Sequence, residues 1–266
     1  MNRRAFVRVV LVAACLGTQM LVTQANAESL ELTVFAAASL RDVFQSLALT
    51  FEKQHPSLRV RFNFAGSQDL RVQIEQGAKV DVFASADWKH MKLLAGQGVV
   101  AAPAVFARNL PVVVVPKNNP AKVRSFSDLP KATHLVLGAA ESPIGAYTDA
   151  ILAAAERLHG KAFGEKIRGN VRSRELNVRQ VLTKVAMGEG DAGIVYKTDA
   201  LTMPDKVEII DIPSALNVVA EYPIAALKAA PQAALARDFV KLVLSMEGQK
   251  VLAAAGFNTA EAQEKK

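Results

Sequence analysis

Uncharged hydrogen-bond donors occupy the predicted strand-to-helix turns of this sequence. Ser39 and Ser67 each follow a predicted strand and precede a predicted helix, and Tyr196 ends another strand. Segments 143–145 and 173–178 occupy two further turns of the same kind. The free backbone N–H groups of helix starts only donate hydrogen bonds, and a hydroxyl can turn its hydrogen toward an acceptor. Such a set of donors suits a small anion that presents only acceptor oxygens.

Each of these residues also has an ordinary structural explanation. A serine before a helix is commonly an N-cap, and a tyrosine at the end of a strand usually packs in the core. Their joint occurrence at several turns favours a binding role, because the carboxyl ends of parallel strands meet at one edge of a sheet. We therefore expect these turns to lie close together.

The elements that must position these turns alternate along the chain. Short β-branched or apolar runs are followed by stretches with helical spacing, which predicts repeated βαβ units. Strands are predicted at 32–35, 59–64, 81–84, 134–139 and 193–196, with helices capped by Ser39, Ser67 and Asn177. Two long extended segments, 111–116 and 218–227, separate two such groups of elements.

This pattern predicts an α/β fold of two lobes, each a mixed, mostly parallel sheet flanked by helices, joined by two crossing strands. The first lobe is expected to span 28–110, with 225–266 returning to it, and the second lobe 111–224. A ligand is expected in the cleft between them. Two donor positions belong to one lobe and three to the other.

Composition excludes several classes of protein. Apolar residues make up 51% of the 266 residues and charged residues 21%, which excludes a disordered chain. A single cysteine excludes a disulfide scaffold. The four histidines have no metal-ligand spacing, so we expect no structural metal. We expect a globular protein that needs no cofactor.

The first 27 residues have the form of a signal peptide. Arg3, Arg4 and Arg8 precede an apolar run, 9–22, and a small-residue cleavage pattern ends at Ala27. Removal leaves 239 residues (266 − 27) with 29 basic and 25 acidic side chains, a net charge of +4. That excess is too small and too dispersed for a nucleic-acid partner.

Two features of the leader leave the export route open. Arg3 and Arg4 resemble a twin-arginine export signal, although paired arginines also occur in ordinary leaders. The segment 12–15 resembles a lipobox, which would place a lipid anchor on Cys15. The apolar run continues past Cys15 to the site at Ala27, which favours cleavage there and a periplasmic location.

Several motifs together resemble the periplasmic molybdate-binding proteins of ABC importers. They are VFAAASL at 34–40, FAGSQDL at 64–70, QIEQGA at 73–78, DVFASAD at 81–87, GEGDAGIVYKTDA at 188–200 and GF at 256–257. The resemblance covers essentially all of the chain after the leader. It implies a type II periplasmic-binding fold, a bound molybdate or tungstate dianion, and a membrane permease as partner.

The resemblance also implies which residues hold the anion. Ser39 and Ser67 would each donate a hydroxyl and a backbone N–H, Ile144 and Val178 a backbone N–H, and Tyr196 its hydroxyl. Molybdenum would be held only as the oxyanion, with no metal atom coordinated directly. Ile144 is bulkier than the usual residue at its position.

Two other functions remain to be weighed. The same fold could bind sulfate, phosphate or another oxyanion, and a competition experiment would distinguish these ligands. An enzyme using Ser39 or Ser67 as nucleophile is the more distant alternative, because no histidine falls at the predicted site turns and no nucleophile elbow or phosphate-binding loop is present. A monomer is the expected oligomeric state.

Overall fold

The computed structural model describes residues 30–259. The predicted signal peptide, 1–27, with Cys15 and the paired arginines, lies outside the described residues. Within the described range, no helix is both long enough and apolar enough to cross a membrane.

Two five-stranded sheets form the centre of the molecule, and they share one strand order. The first sheet runs β2-β1-β3-β10-β4 and the second runs β7-β6-β8-β5-β9. The strands are β1 (Leu30–Ala37), β2 (Leu58–Ala65), β3 (Val82–Ala84), β4 (Ala104–Asn109), β5 (Pro111–Pro116), β6 (Leu135–Gly138), β7 (Val171–Glu175), β8 (Ala192–Tyr196), β9 (Val207–Asp211) and β10 (Ala220–Ala226).

One strand in each sheet runs against its neighbours. β10 is antiparallel to β3 and β4, and β5 is antiparallel to β8 and β9, whereas β1 is parallel to β2 and β3 and β6 is parallel to β7 and β8. These two strands are the ones that the chain enters directly after leaving the other sheet. The two-lobe α/β fold with two crossing strands, predicted from the sequence, is confirmed.

The crossings lie at Leu110, between β4 and β5, and between β9 and β10. Strand β10 pairs with the first sheet from Ala220 onward, which is earlier than the return at 225 expected from the sequence. The difference arises because the segment 220–224, apart from the half-buried Glu221, is apolar and is buried in the first sheet, whereas the sequence shows only one continuous extended run.

Buried β-branched residues explain the inner strands. Val112, Val113, Val114 and Val115 in β5 are all at most 1% exposed, as expected for a strand covered on both faces. Strand β1 is likewise buried from Val34 to Ala37.

Helices cover both sheets. They are α1 (Arg41–Gln54), α2 (Ser67–Glu75), α3 (Trp88–Gly96), α4 (Pro143–His159), α5 (Lys161–Gly169), α6 (Val178–Ala186), α7 (Lys197–Ala200), α8 (Ala233–Leu244) and α9 (Met246–Ala254). Four of them, α1, α2, α4 and α6, follow the carboxyl ends of parallel strands β1, β2, β6 and β7. Their N-termini are therefore the elements that can position a ligand between the lobes.

Candidate functional site

A small pocket lies where these helix starts meet. Its cavity volume is about 20 Å³, far below the roughly 300–1,000 Å³ of pockets for organic ligands. Both lobes line it, through Ala37, Ala38, Ser39, Ala65, Gly66, Ser67, Ala86, Ser142, Pro143, Ile144, Asn177, Val178 and Tyr196. All five residues predicted from the sequence are among them. The pocket fits a small solute.

The first lobe contributes two serine hydroxyls. The Ser67 Oγ accepts a hydrogen bond from the Ala86 N–H at 3.0 Å, and the Ser39 Oγ lies 3.1 Å from the Tyr222 hydroxyl. Both serines are at most 4% exposed. Since the Ser67 oxygen already accepts a hydrogen from the protein, its own hydrogen is free to point into the pocket.

Neither serine is the N-cap that the sequence pattern predicted. Ser39 lies inside a short 3-10 turn, Ala38–Leu40, which leads into α1, and Ser67 is the first residue of α2 with Gly66 as N-cap. Their hydroxyls are engaged by Tyr222 and Ala86 instead of by the next turn of the helix. The prediction of capping was wrong because a cap and a binding hydroxyl call for the same residue type at the same place.

The second lobe contributes backbone N–H groups. Asn177 caps α6 as predicted, and its Oδ1 accepts from the Arg179 and Gln180 N–H groups at 3.1 and 3.2 Å. Those bonds leave the N–H of Val178, the first residue of α6, outside the cap. In α4, Ser142 accepts from the Gly145 N–H at 3.2 Å, which leaves the N–H of Ile144 outside that cap.

Tyr196 ends β8 and is 1% exposed. Its hydroxyl is buried and has no hydrogen-bond partner among residues 30–259. Burial raises the pKa of Tyr196 well above its ordinary value, and the nearby Tyr222, Tyr147 and Asp87 add to the rise. The hydroxyl therefore keeps its hydrogen at neutral pH and can donate it to an acceptor in the pocket.

Side-chain charge is kept off the pocket wall. None of the lining residues, all of which belong to the described part of the chain, is charged. Arg179, next to Val178, forms ion pairs with Asp199 and, at 2.5 Å, with Asp42 of the other lobe. Burial raises the pKa of Asp199 to about 6, and Arg179 opposes that rise. Asp69, in the first turn of α2, is not part of the wall.

Side chains also bond directly across the cleft. Gln68 donates to the Leu176 carbonyl at 2.6 Å, and His90 donates through Nε2 to the Glu141 carbonyl at 3.0 Å. In the opposite direction Tyr147 donates to the Ala86 carbonyl at 3.3 Å. We call these three the cross-cleft hydrogen bonds. They hold the lobes in a closed arrangement.

Gly66 permits this close approach. A Cβ atom at this position would lie 2.5 Å from the Leu176 carbonyl oxygen of the second lobe, and closer still to the Gln68 amide. Any side chain here would therefore push the two lobes apart.

One residue that sequence reasoning did not select is Tyr222 on β10. It is fully buried and its hydroxyl contacts Ser39. Its role depends on a contact between residues 183 positions apart, which no local pattern indicates. Among the described residues, no group of three or more His, Cys, Asp or Glu side chains could hold a metal ion.

Two α/β lobes that close on a small pocket of hydrogen-bond donors define a binding protein with the type II periplasmic-binding topology. A family model described as bacterial extracellular solute-binding protein matches residues 32–258. The chain belongs to this family.

Individual proteins are similar over most of the chain. The molybdate-binding protein ModA of Mycobacterium tuberculosis is 42% identical over 228 residues, covering 85% of this chain and 84% of the relative. The putative ABC transporter substrate-binding lipoprotein YvgL of Bacillus subtilis is 35% identical, covering 94% of each chain. The Azotobacter vinelandii periplasmic molybdate-binding protein has the same fold, with a TM-score of 0.73, 20% identity, and coverage of 85% and 98%.

Proposed function

We propose that this protein captures molybdate outside the cytoplasm and delivers it to an ABC permease in the membrane. The observation that carries the proposal is the small closed pocket, lined from both lobes by uncharged donors and by no charged residue of the described chain. The relative that is 42% identical and named a molybdate-binding protein supports the same ligand.

The donor set fits a tetrahedral dianion. Charge-assisted hydrogen bonds contribute roughly 1.5–3 kcal/mol each, so that about six of them sum to roughly 9–18 kcal/mol. After the cost of association is subtracted, this sum is compatible with a micromolar to nanomolar dissociation constant, about −8 to −12 kcal/mol. The proposed donors are the hydroxyls of Ser39, Ser67 and Tyr196 and the backbone N–H groups of Ser39, Ser67, Ile144 and Val178. The positive ends of helix dipoles add favourable potential.

Neutral donors have an advantage over a lysine or arginine in this place. A cation in the closed pocket would be desolvated whenever the site is empty, at a large cost in free energy. Helix starts and hydroxyls bind the dianion without that cost. We expect binding by a monomer, without cofactor and without turnover.

Size sets the expected selectivity. Molybdate and tungstate are nearly equal in radius, so both should satisfy donors fixed by the rigid helix starts. Sulfate is smaller and would leave some of those donors unpaired, which costs affinity. Because the two lobes both contact the ligand, binding also favours the closed state.

Export is part of the proposal. The predicted signal peptide, 1–27, would carry the protein across the membrane, with the twin-arginine route or a lipid anchor on Cys15 as alternatives. The family, whose description is extracellular, supports an exported location.

Thermal unfolding with and without anions tests the ligand. Molybdate or tungstate at one hundred times its dissociation constant should add about 2.7 kcal/mol, which raises the midpoint by roughly 5–10 °C for a protein of this size. Sulfate at the same concentration should raise it much less. No shift with either heavy oxyanion, or an equal shift with sulfate, would contradict the proposal.

Tyr196→Phe separates binding from stability. Without anion the variant should unfold at the same temperature or slightly higher, because a buried hydroxyl without a partner is removed. Its affinity for molybdate should fall about 10- to 150-fold, since a hydrogen bond to a charged group is lost. Calorimetric titration measures the affinity, and a fall in stability with unchanged affinity would show that Tyr196 is only a packing residue.

A further inference from the structure

Tyr222 lies behind the pocket wall and is not part of it. Its hydroxyl lies 3.1 Å from the Ser39 Oγ, but Tyr222 is not among the residues that line the pocket. The two residues come from different ends of the chain, since Ser39 precedes α1 and Tyr222 lies on the crossing strand β10. A hydrogen bond from Tyr222 can therefore act on a ligand only through Ser39, although the Tyr222 ring also packs against Tyr196 of the pocket wall.

The surrounding structure fixes the Tyr222 ring. Three aromatic rings meet it edge-on, with distances between centroids of 6.3 Å for Phe106, 5.7 Å for Tyr196 and 5.6 Å for Phe257. The pairing of β10 with β4 shifts register between Tyr222 and Pro223. Irregularities of this kind redirect side chains and are frequent beside functional sites. These three rings, in a fully buried environment, hold the Tyr222 side chain with its hydroxyl against Ser39.

Counting hydrogens gives the direction of the bond. Burial raises the pKa of Tyr222 well above its ordinary value, so the phenol keeps its hydrogen. Ser39 has one hydroxyl hydrogen and, in the presence of an anion with only acceptor atoms, would donate that hydrogen to the anion. The Tyr222 hydroxyl must then be the donor and Ser39 the acceptor.

We propose that Tyr222 is a positioning residue that donates its hydroxyl hydrogen to Ser39 and thereby directs the Ser39 hydrogen into the pocket. The Ala86 N–H does the same for Ser67, at 3.0 Å. Chains of hydrogen bonds strengthen one another, so Ser39 is a better donor when it accepts from Tyr222. This inference rests on the proposed function, because it needs an oxyanion in the pocket.

A double-mutant cycle on the full-length exported protein tests it. Molybdate affinity is measured by calorimetry for wild type, Tyr222→Phe, Ser39→Ala and the double variant. Tyr222→Phe should weaken binding about two- to tenfold in the wild-type background, the range for loss of one neutral hydrogen bond. In the Ser39→Ala background, where there is no hydroxyl to direct, the same change should have no effect on affinity.

Equal losses in both backgrounds would overturn the inference, since Tyr222 would then act through packing. No loss in the wild-type background would also overturn it. If wild type binds neither molybdate nor tungstate, the proposed function fails and this inference fails with it, a result distinct from the other two.

A second variant covers the case in which Tyr222→Phe folds poorly. Site-specific replacement of Tyr222 by 3-fluorotyrosine keeps the shape of the ring and makes its hydroxyl a stronger donor. Binding should be unchanged or tighter, whereas a loss equal to that of Ser39→Ala would overturn the inference.

Discussion

The two lobes bring hydrogens to the pocket by different means. The first lobe presents the side-chain hydroxyls of Ser39 and Ser67, each hydrogen-bonded to one group of its own lobe. The second lobe presents mainly backbone N–H groups, at Ile144 and Val178, beside helix caps that leave them free. Tyr196 adds its hydroxyl from the end of β8.

Because of this difference, a side-chain substitution can remove some of the hydrogen-bond donors and leaves others in place. A serine hydroxyl disappears when the residue becomes alanine, whereas a backbone N–H survives any substitution except proline. Binding should therefore be sensitive to residue identity at the serines of the first lobe and at Tyr196, and to the path of the backbone at positions 144 and 178 of the second lobe. Two predictions test this contrast and a third tests the contact between the two lobes, from the largest expected effect to the smallest.

Loss of both serine hydroxyls should have the largest effect. In the variant Ser39→Ala/Ser67→Ala, molybdate affinity should fall roughly 10²- to 10⁴-fold, because each charge-assisted hydrogen bond contributes about 1.5–3 kcal/mol. Isothermal titration calorimetry measures the change.

Ser142→Ala is the matched control for the serines. Ser142 also lines the pocket, but its hydroxyl donates to the Ala139 carbonyl at 2.7 Å and accepts from the Gly145 N–H. Its removal should lower thermal stability, as loss of a helix cap does, and reduce affinity far less than the double variant. A loss of affinity as large as that of the double variant would show that hydroxyl availability is not what matters.

Proline at position 178 should remove a single backbone donor. Val178 is the first residue of α6, where proline is well tolerated, and Asn177 before it is already extended. Val178→Pro should therefore keep the helix and weaken molybdate binding about 10- to 150-fold through the lost N–H. Circular dichroism checks the fold, and calorimetry the affinity.

Val178→Ala keeps the N–H and provides the comparison for the proline variant. Its affinity should stay within a few-fold of wild type, even if stability falls. Should alanine weaken binding as much as proline, the side chain of Val178 would be the important group, and the contrast between the lobes would be wrong.

The smallest of the expected effects is a loss of stability in acid at His90, which forms one of the cross-cleft hydrogen bonds. Burial lowers the pKa of His90 below its ordinary 6.5, a shift that Asp87 and the Glu141 carbonyl oppose and that Lys89 and Arg71 reinforce. The unfolded chain then binds the proton more readily than the folded one. Stability from this residue is complete above pH 6.5 and is lost as pH falls through the lower, folded-state pKa.

Thermal unfolding between about pH 7.5 and about pH 5 measures this effect against His90→Gln, which cannot titrate in that range. Wild type should lose more stability on acidification than the variant. Asp199, whose pKa burial raises to about 6, shifts in the opposite sense but is present in both proteins, so it cancels in the comparison. Parallel curves for the two proteins would contradict the prediction.

Much of the fold could be predicted from the sequence, because hydrophobic periodicity marks βαβ units directly. The runs that became β1, β5 and β8 are short, apolar and flanked by turn residues. Strand β4, Ala104–Asn109, was not predicted, since its Arg108 and Asn109 interrupt the apolar pattern. The return of the chain at Ala220 was placed too late because pairing partners cannot be recognised within a continuous extended run.

The residues of the candidate site differ in how far the sequence reveals them, according to whether they donate from the side chain or from the backbone. Ser39, Ser67 and Tyr196 could be found from residue type and from their places at the ends of strands. Ile144 and Val178 have side chains that carry no chemistry, and only the family resemblance indicated them. Tyr222 could not be found in either way, because its importance comes from a contact made by folding.

The cross-cleft hydrogen bonds affect both the affinity for the ligand and the rate of its release. Gln68, His90 and Tyr147 form them with main-chain carbonyls alone, so they are available to a closed cleft whether or not cargo is inside. They offset part of the free-energy cost of closing the two lobes, which raises the apparent affinity for the ligand. The same bonds must break before the ligand leaves. A variant without them would therefore bind the ligand more weakly and release it faster.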